Sequence, residues 1–303
     1  MTDRSAIEWT QATWNPVTGC DRISPGCQHC YALTLAKRLK AMGQAKYQTD
    51  GRPPTSGPGF GVAVHPQVLG EPLAWRMPRR IFVCSMADLF HARVPEAFIA
   101  RVFAVMAATP QHTYQVLTKR PGRMARLLNG DAFPDQVYRR AATHGLTSLT
   151  WPLSNLWLGT SVEDQQRADQ RIPLLLAAPA AIRFLSCEPL LGRIDLALAI
   201  CQQTAPAYGR GLSRTTVHLG DCCRNALYAA ELHWIIAGGE SGPGHRPVDP
   251  AWVRFLRDQA TATEVAFFFE QWGGRTPGAG GRLLDGRTWD QYPVRGHSGE
   301  AGW

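Results

Sequence analysis

Residues 80–117 read RIFVCSMADLFHARVPEAFIARVFAVMAATPQHTYQVL. A β-branched and aromatic run, Arg80–Cys84, gives way to the polar segment SMADLFH. Glu96–Ala108 then carries apolar residues at helical spacing, and a second short apolar run, Thr113–Leu117, follows. Two strands joined by a connection of helical length are the repeating unit of a parallel sheet, because parallel neighbours need a crossover. Working outward, the same alternation predicts strands at Leu156–Gly159, Ala181–Leu185, Leu232–Ala237 and Val265–Phe269, with an opening strand around Ala12–Val17. Helices are predicted at Pro121–Leu128, Val162–Leu176 and Pro250–Thr261. The expected fold class is α/β: a parallel sheet wrapped by helices, forming a barrel or part of one.

Each apolar run stops at polar residues. These are Ser85 and Asp88, then Thr118-Lys119-Arg120, Ser161 to Asp164, Ser186-Cys187-Glu188, Gly239-Glu240-Ser241 and Glu270-Gln271-Trp272. The C-terminal strand ends of a (β/α) barrel surround its active site, so these groups are expected around one mouth. Polar residues are also ordinary loop composition, and it is their repetition after six strands that points to a site.

The chain has 303 residues, 45% apolar and 18% charged, with 29 Gly and 22 Pro. This turn-rich globular composition argues against long disordered or coiled-coil segments. No apolar run is long enough to cross a bilayer, and MTDRSAIEWTQ lacks the apolar core of a signal peptide, so the expectation is a cytoplasmic protein with no membrane partner. One barrel domain over residues 1–303 is expected, with insertions at 43–70 and 200–231 and a C-terminal hairpin extension at 274–303. The hairpin is signalled by Asp285-Gly286 between short apolar runs. The net charge is +8, carried by 28 Arg against 4 Lys. Arginine suits bidentate phosphate contacts, which favours a nucleic-acid partner; the plainer reading is compositional bias and solubility.

Three of the eight cysteines lie in TGCDRISPGCQHCYA, a C-x6-C-x2-C arrangement of Cys20, Cys27 and Cys30. In a long chain of this kind reduced thiols are expected. Cys27 and Cys30 can converge through a tight turn, and Ser24-Pro25-Gly26 lets Cys20 join them. Three thiolates suit a [4Fe–4S] cluster with one iron left open; a structural zinc site wants a fourth ligand, and inert thiols are the third reading. Tyr31–Met42 follows in helical register through Leu33, Ala36, Leu39 and Met42. A second set, Cys201, His218, Cys222 and Cys223, is a candidate zinc site or a group of packing thiols.

WTQATWNPVTGCDRISPGCQHCYA, RRIFVCSMADLFH, YQVLTKRPGRM, LWLGTSVEDQ, IRFLSCEPLLG, WIIAGGESGPGHRP and FFFEQWGG together resemble the phage-type three-Cys-motif proteins. That family belongs to the radical S-adenosylmethionine superfamily and is most like spore photoproduct lyase. The resemblance implies a partial (β/α)6 barrel of radical-SAM type, with a [4Fe–4S] cluster on Cys20, Cys27 and Cys30 and S-adenosylmethionine on the open iron. It further implies reductive cleavage to a 5′-deoxyadenosyl radical, used to repair or modify a nucleic-acid base, and a reductase or a flavodoxin- or ferredoxin-type electron donor. The chain departs from the pattern in its six-residue first gap, in His29 before the third cysteine, and in Glu270, where a lysine is usual.

On that resemblance, Ser85 and Asp88 would meet the methionine amino group, Thr118 and Lys119 the carboxylate or ribose, and Ser161 and Glu163 the ribose hydroxyls. Glu188 and Glu240 would balance the sulfonium or position substrate, or else pair with arginines. Cys187 would return a hydrogen atom to a substrate radical, or else simply pack. Arg120, Arg123, Arg246 and Trp272 would suit phosphates and a base. Two other functions stay open: the same chemistry on a peptide or small molecule, and a non-enzymatic zinc-stabilised nucleic-acid-binding protein.

Overall fold

The computed structural model describes residue 5 and residues 7–201 and 232–294. In chain order it contains β1 (Ala12–Trp14), β2 (Val17–Thr18), α1 (Tyr31–Ala41), β3 (Ala63–Val64), β4 (Arg80–Val83), α2 (Glu96–Ala108), β5 (Thr113–Thr118), α3 (Pro121–Leu128) and α4 (Ala132–Ala141). β6 (Leu156–Ser161), α5 (Gln165–Leu176), β7 (Ile182–Cys187), α6 (Leu196–Cys201), β8 (Trp234–Gly238), α7 (Pro250–Ala262) and β9 (Ala266–Gln271) complete it.

Seven strands form one sheet in the order β1-β4-β5-β6-β7-β8-β9, and every pairing is parallel. The order never reverses, so each crossover steps in the same direction. The right-handed rule then puts the helices on one face and curls the sheet into a half barrel. β1 and β9 each pair with one neighbour and not with each other, so the barrel stays open. A (β/α)6 barrel has six strands; here β9 adds a seventh.

The period-2 alternation of the strands sorts the core into two faces. Ile81, Val116, Leu158, Leu185, Ile235 and Phe267 pack against the helices. Phe82, Trp157, Phe184, Trp234 and Phe268 point to the concave side with Trp9. There Trp234 meets Trp157 and Phe184 at ring separations of 5.7 and 5.6 Å. Tyr292 from the tail covers this layer, 5.3 Å from Trp234, and Gln291 accepts from Trp234 Nε1 at 2.9 Å. The inside of the half barrel is therefore filled by aromatic rings towards the strand starts. Continued towards the strand ends, the same alternation brings Lys119, Ser161, Glu163, Ser186 and Glu188 to the concave side.

Several expectations are corrected. The opening strand stops at Trp14, because Pro16 has no N–H for the ladder; β2 pairs instead with β3, antiparallel, in a separate ribbon. α5 begins at Gln165, not Val162, since the Asp164 carboxylate caps it by accepting from Arg167 N at 2.9 Å. α4 and α6 were not anticipated. On α1, Ala32 and Ala36 are the buried residues, while Met42 is its C-cap and 61% exposed. The tail turn is borne out: Leu284 bridges Arg287, and Asp285 and Gly286 both take positive φ, as the favoured two-residue hairpin turn requires.

Gly159 on β6 stands opposite Phe184 on β7, and a Cβ there would lie 2.4 Å from the Phe184 ring. Gly159→Ala is expected to lower stability by roughly 1–3 kcal/mol, read from the urea midpoint at unchanged m-value, because a ring within a filled aromatic layer has nowhere to go.

Candidate functional site

The cysteine loop begins where β2 ends and is pressed against the Gly43–Gly70 excursion. Gly19 has φ +84°, and any Cβ there would come within 2.1 Å of Gly61 O, so only glycine allows this approach. Cys20 N donates to Phe60 O at 3.3 Å and Arg22 N to Thr55 O at 2.7 Å. Tyr47 and Phe60 of the excursion pack with Ala32, Ala36 and Met86, and Cys20 and Cys30 border this small core. The stretch expected to be an irregular insertion is thus the backing of the loop. Within the loop, Pro25–Cys27 forms one 3-10 turn and Cys30 is the N-cap of α1. Cys20, Cys27 and Cys30 are all free thiols and partly exposed. Among the described residues, no three His, Cys, Asp or Glu side chains gather as a site for a single metal ion. His218, Cys222 and Cys223 lie outside the described residues, as does the Cys201 side chain.

Charged groups from successive strand ends hold this loop across the mouth. After β4, buried Asp88 accepts from Phe90 N and Thr118 Oγ1 on one oxygen, and from Lys119 N and Arg120 Nη1 on the other. Its acceptor positions are thereby taken within the protein. Arg120 passes the charge on: Nη1 lies 3.3 Å from Cys20 Sγ, and Nη2 donates to Asp21 O at 3.2 Å. Asp21 in turn accepts from His91 Nε2 at 2.9 Å and Arg93 Nη2 at 2.7 Å. Burial and the neighbouring Asp88 push the Cys20 thiol up to about 12, with Arg120 pulling the other way. Ser85 exchanges hydrogen bonds with the Asn15 side chain, and its carbonyl accepts from Tyr31 OH at 2.6 Å.

After β6, Glu163 is only 1% exposed. It accepts from Gly26 N at 3.2 Å and pairs with Arg171 Nη1 at 2.9 Å. Burial alone would raise its pKa, but Arg171, Ser24 and Gly26 hold it below the usual range. Ser161, also buried, accepts from Arg171 through its carbonyl at 2.8 Å. After β8, Glu240 accepts from His29 Nδ1, Arg246 N and Arg246 Nε, each at 2.9 Å. Arg246 also reaches the loop directly, at Pro25 O (3.1 Å) and Gln28 Oε1 (3.2 Å). Despite its burial, Glu240 is held down to about 2 by Arg246 and His29.

Glu188 differs from these carboxylates. It accepts from Ser186 Oγ at 3.1 Å, and burial together with the adjoining Glu270 carboxyl raises its pKa well above normal. Among the described residues no cation lies within ion-pair distance of either acid, although Lys119 adds an attractive influence on Glu188. Tyr31 feels the same two acids and Cys30. It is 54% exposed yet closely surrounded by protein, as befits a residue lining a concave mouth. Cys187 faces away. It is fully buried in the helix-side core, in register with Ala237, and burial raises its thiol pKa. Of its two readings the structure gives it the packing role.

The groups expected to meet phosphate are engaged internally. Arg120 and Arg246 serve the contacts above, and Arg123 donates to His91 O and, at 2.8 Å, to Val94 O. Trp272 stacks edge-on against Phe269 at 4.7 Å and donates to Leu283 O. Sequence reasoning missed Asp21 and His29 as the side chains by which the loop is anchored, and Arg171 as the partner of Glu163. His29 stood out only for replacing an aromatic, and nothing in the sequence marked Arg171.

A family model described as "Protein of unknown function (DUF5131)" matches residues 4–293, and the chain belongs to that family. No curated protein matches the chain, and no solved structure does.

Because Glu240 has a depressed pKa, its contribution to stability is complete above about pH 4.5 and is lost as pH falls towards about 2. Glu240→Gln is therefore expected to cost roughly 3 kcal/mol near neutral pH, a gap that narrows steadily below about pH 4.5. Parallel denaturant titrations of both proteins across that range provide the check.

Proposed function

We propose that this chain is a radical S-adenosylmethionine enzyme with a [4Fe–4S] cluster on Cys20, Cys27 and Cys30, acting on a nucleic-acid base. The observation that carries the reading is positional. Three free thiols sit on one loop at the C-terminal mouth of a parallel half barrel, where such folds place their chemistry. The donor set fits a cluster in kind: thiols without disulfides, a guanidinium N–H against one sulfur, and a loop buttressed by charges instead of by its own secondary structure. When bound, cluster and S-adenosylmethionine would supply the one-electron chemistry that yields a 5′-deoxyadenosyl radical.

The residues of the chain have separable tasks. Arg120 donates to Cys20 and ties it to Asp88, so the first thiol is fixed relative to β4 and β5. Glu163 and Glu240 hold the 3-10 turn and His29 from the β6 and β8 sides. The aromatic layer closes the interior beneath the polar mouth and excludes water from below, which protects reactive species. Lys119, Ser186, Glu188 and Glu270 remain as the polar groups facing a bound reactant. Glu188, whose pKa is raised by burial and by the neighbouring Glu270 carboxyl, is the acid–base group of the mouth, whereas Glu163 and Glu240 are held ionised by their partners.

Anaerobically purified protein is expected to carry about four iron and four acid-labile sulfide per chain. Cys27→Ala should lose both, together with 5′-deoxyadenosine formation under reducing conditions. Zinc without sulfide, or turnover retained in Cys27→Ala, would remove this reading.

A further inference from the structure

Helix α1 leaves the mouth with an unpartnered face. Tyr31, Leu35, Arg38 and Met42 lie within one narrow stripe of the helix. Tyr31, Leu35 and Met42 are 54%, 38% and 61% exposed, and Ile23 on the preceding cysteine loop is a further exposed apolar residue. The stripe sits in a stretch of the chain whose charge is mostly positive. Between Trp9 and Gly70 the cations are Arg22, Lys37, Arg38, Lys40, Lys46 and Arg52, against only Asp21 and Asp50. Both acids are already engaged, Asp21 with His91 and Arg93, and Asp50 with Lys40. Arg22, Lys37, Arg38 and Arg52 are exposed and make no ion pair among the described residues.

The aromatic residue at the head of this stripe is held in place. Tyr31 OH donates to Ser85 O at 2.6 Å, so the ring is fixed at the rim while its face stays open. A held, exposed ring at the head of a helix that carries unneutralised cations is what a single-stranded nucleic acid uses, stacking a base on the ring and passing its phosphates along the cations. An acidic protein could also meet the cations, but it has no particular use for a fixed aromatic face at the lip of the mouth.

We infer that α1 and the adjoining cysteine loop form the track for a single nucleic-acid strand, with Tyr31 as the stacking platform and Arg22, Lys37 and Arg38 as phosphate contacts. The inference rests on the nucleic-acid reading above and locates its partner on a surface that reading did not use. It also replaces the strand-end arginines, which are engaged internally, as the phosphate contacts.

A second basic patch supplies the control. Arg101, Arg139 and Arg140 rim a cavity of about 340 Å³ on the outer helical layer, beside the segment that leads into β4. None of the three is ion-paired among the described residues. Binding of fluorescein-labelled oligothymidylate and oligouridylate of about 20 nucleotides would be followed by anisotropy between about 50 and 200 mM salt. Lys37→Glu/Arg38→Glu is expected to weaken binding at least tenfold and to flatten the salt dependence by about two units of slope. Tyr31→Ala should weaken it about tenfold with the slope unchanged, while Arg101→Glu/Arg139→Glu stays near wild type. Equal losses in the two double variants, or none in the α1 variant, would overturn the track while leaving the nucleic-acid reading in place. No binding by the wild-type protein would defeat that reading itself. An α1 variant that binds oligonucleotide normally but loses reduction by an acidic electron-transfer protein would reassign the face to that partner. All the altered side chains are exposed, and thermal melts confirm that the variants fold.

Discussion

The cysteine loop depends on buried carboxylates that have no neutral way to be satisfied. Asp88, Glu163 and Glu240 sit at the ends of different strands and are largely shielded from water; each meets an arginine, and Glu163 and Glu240 meet the loop directly while Asp88 reaches it through Arg120. Removing one member of such a pair leaves an uncompensated buried charge, which costs far more than the net worth of the intact pair. The loop has one turn of regular structure, so its shape is set by these anchorages together with the Gly43–Gly70 excursion behind it. The three thiols therefore inherit their placement from the barrel. Their placement relative to the sheet follows from the strand ends at Thr118, Ser161 and Gly238, which the local sequence of the loop does not encode.

Much of this architecture was legible because parallel strands with helical crossovers leave a strong periodic trace. The six strands β4 to β9 and the helices after four of them follow directly from apolar runs and spacing. The polar strand ends were also legible as a ring, since each follows its apolar run at a fixed offset. What could not be read was the direction of individual side chains. Ser186, Cys187 and Glu188 are consecutive, yet alternation sends Cys187 into the helix-side core and its neighbours to the concave side. A one-residue difference in register reverses such an assignment, and register is a tertiary property.

The pairing of charges was equally invisible. Glu163 and Arg171 are eight residues apart, but Glu240 and His29 are separated by most of the chain. The Gly43–Gly70 excursion looked irregular for a related reason. Its Gly and Pro content signals turns, and turns carry no sign that their carbonyls will receive the backbone N–H groups of Cys20 and Arg22. α4 and α6 escaped notice because α4 contains Pro134 and α6 is only a turn and a half long, too little for a periodic signal.

The arginine-rich composition does not indicate where free positive charge lies. Arg120, Arg171 and Arg246 are consumed in neutralising carboxylates around the mouth, so they leave no free positive charge there. The concave side keeps two carboxyl groups, Glu188 and Glu270, beside Ser186 and Lys119. Further cations without an ion pair among the described residues lie outside, Arg22, Lys37 and Arg38 along α1 and the loop among them. The mouth accordingly holds two acids and one lysine within a basic rim. A ligand that fits both parts must carry its own charge in the reverse order, with anions on the outside and hydrogen-bond donors on the portion that enters. Phosphodiester strands divide in that way, because the phosphates stay on the backbone while the exocyclic amino groups of the bases donate to carboxylates. The charge distribution and the fixed ring of Tyr31 thus make the same demand on a ligand from two independent directions.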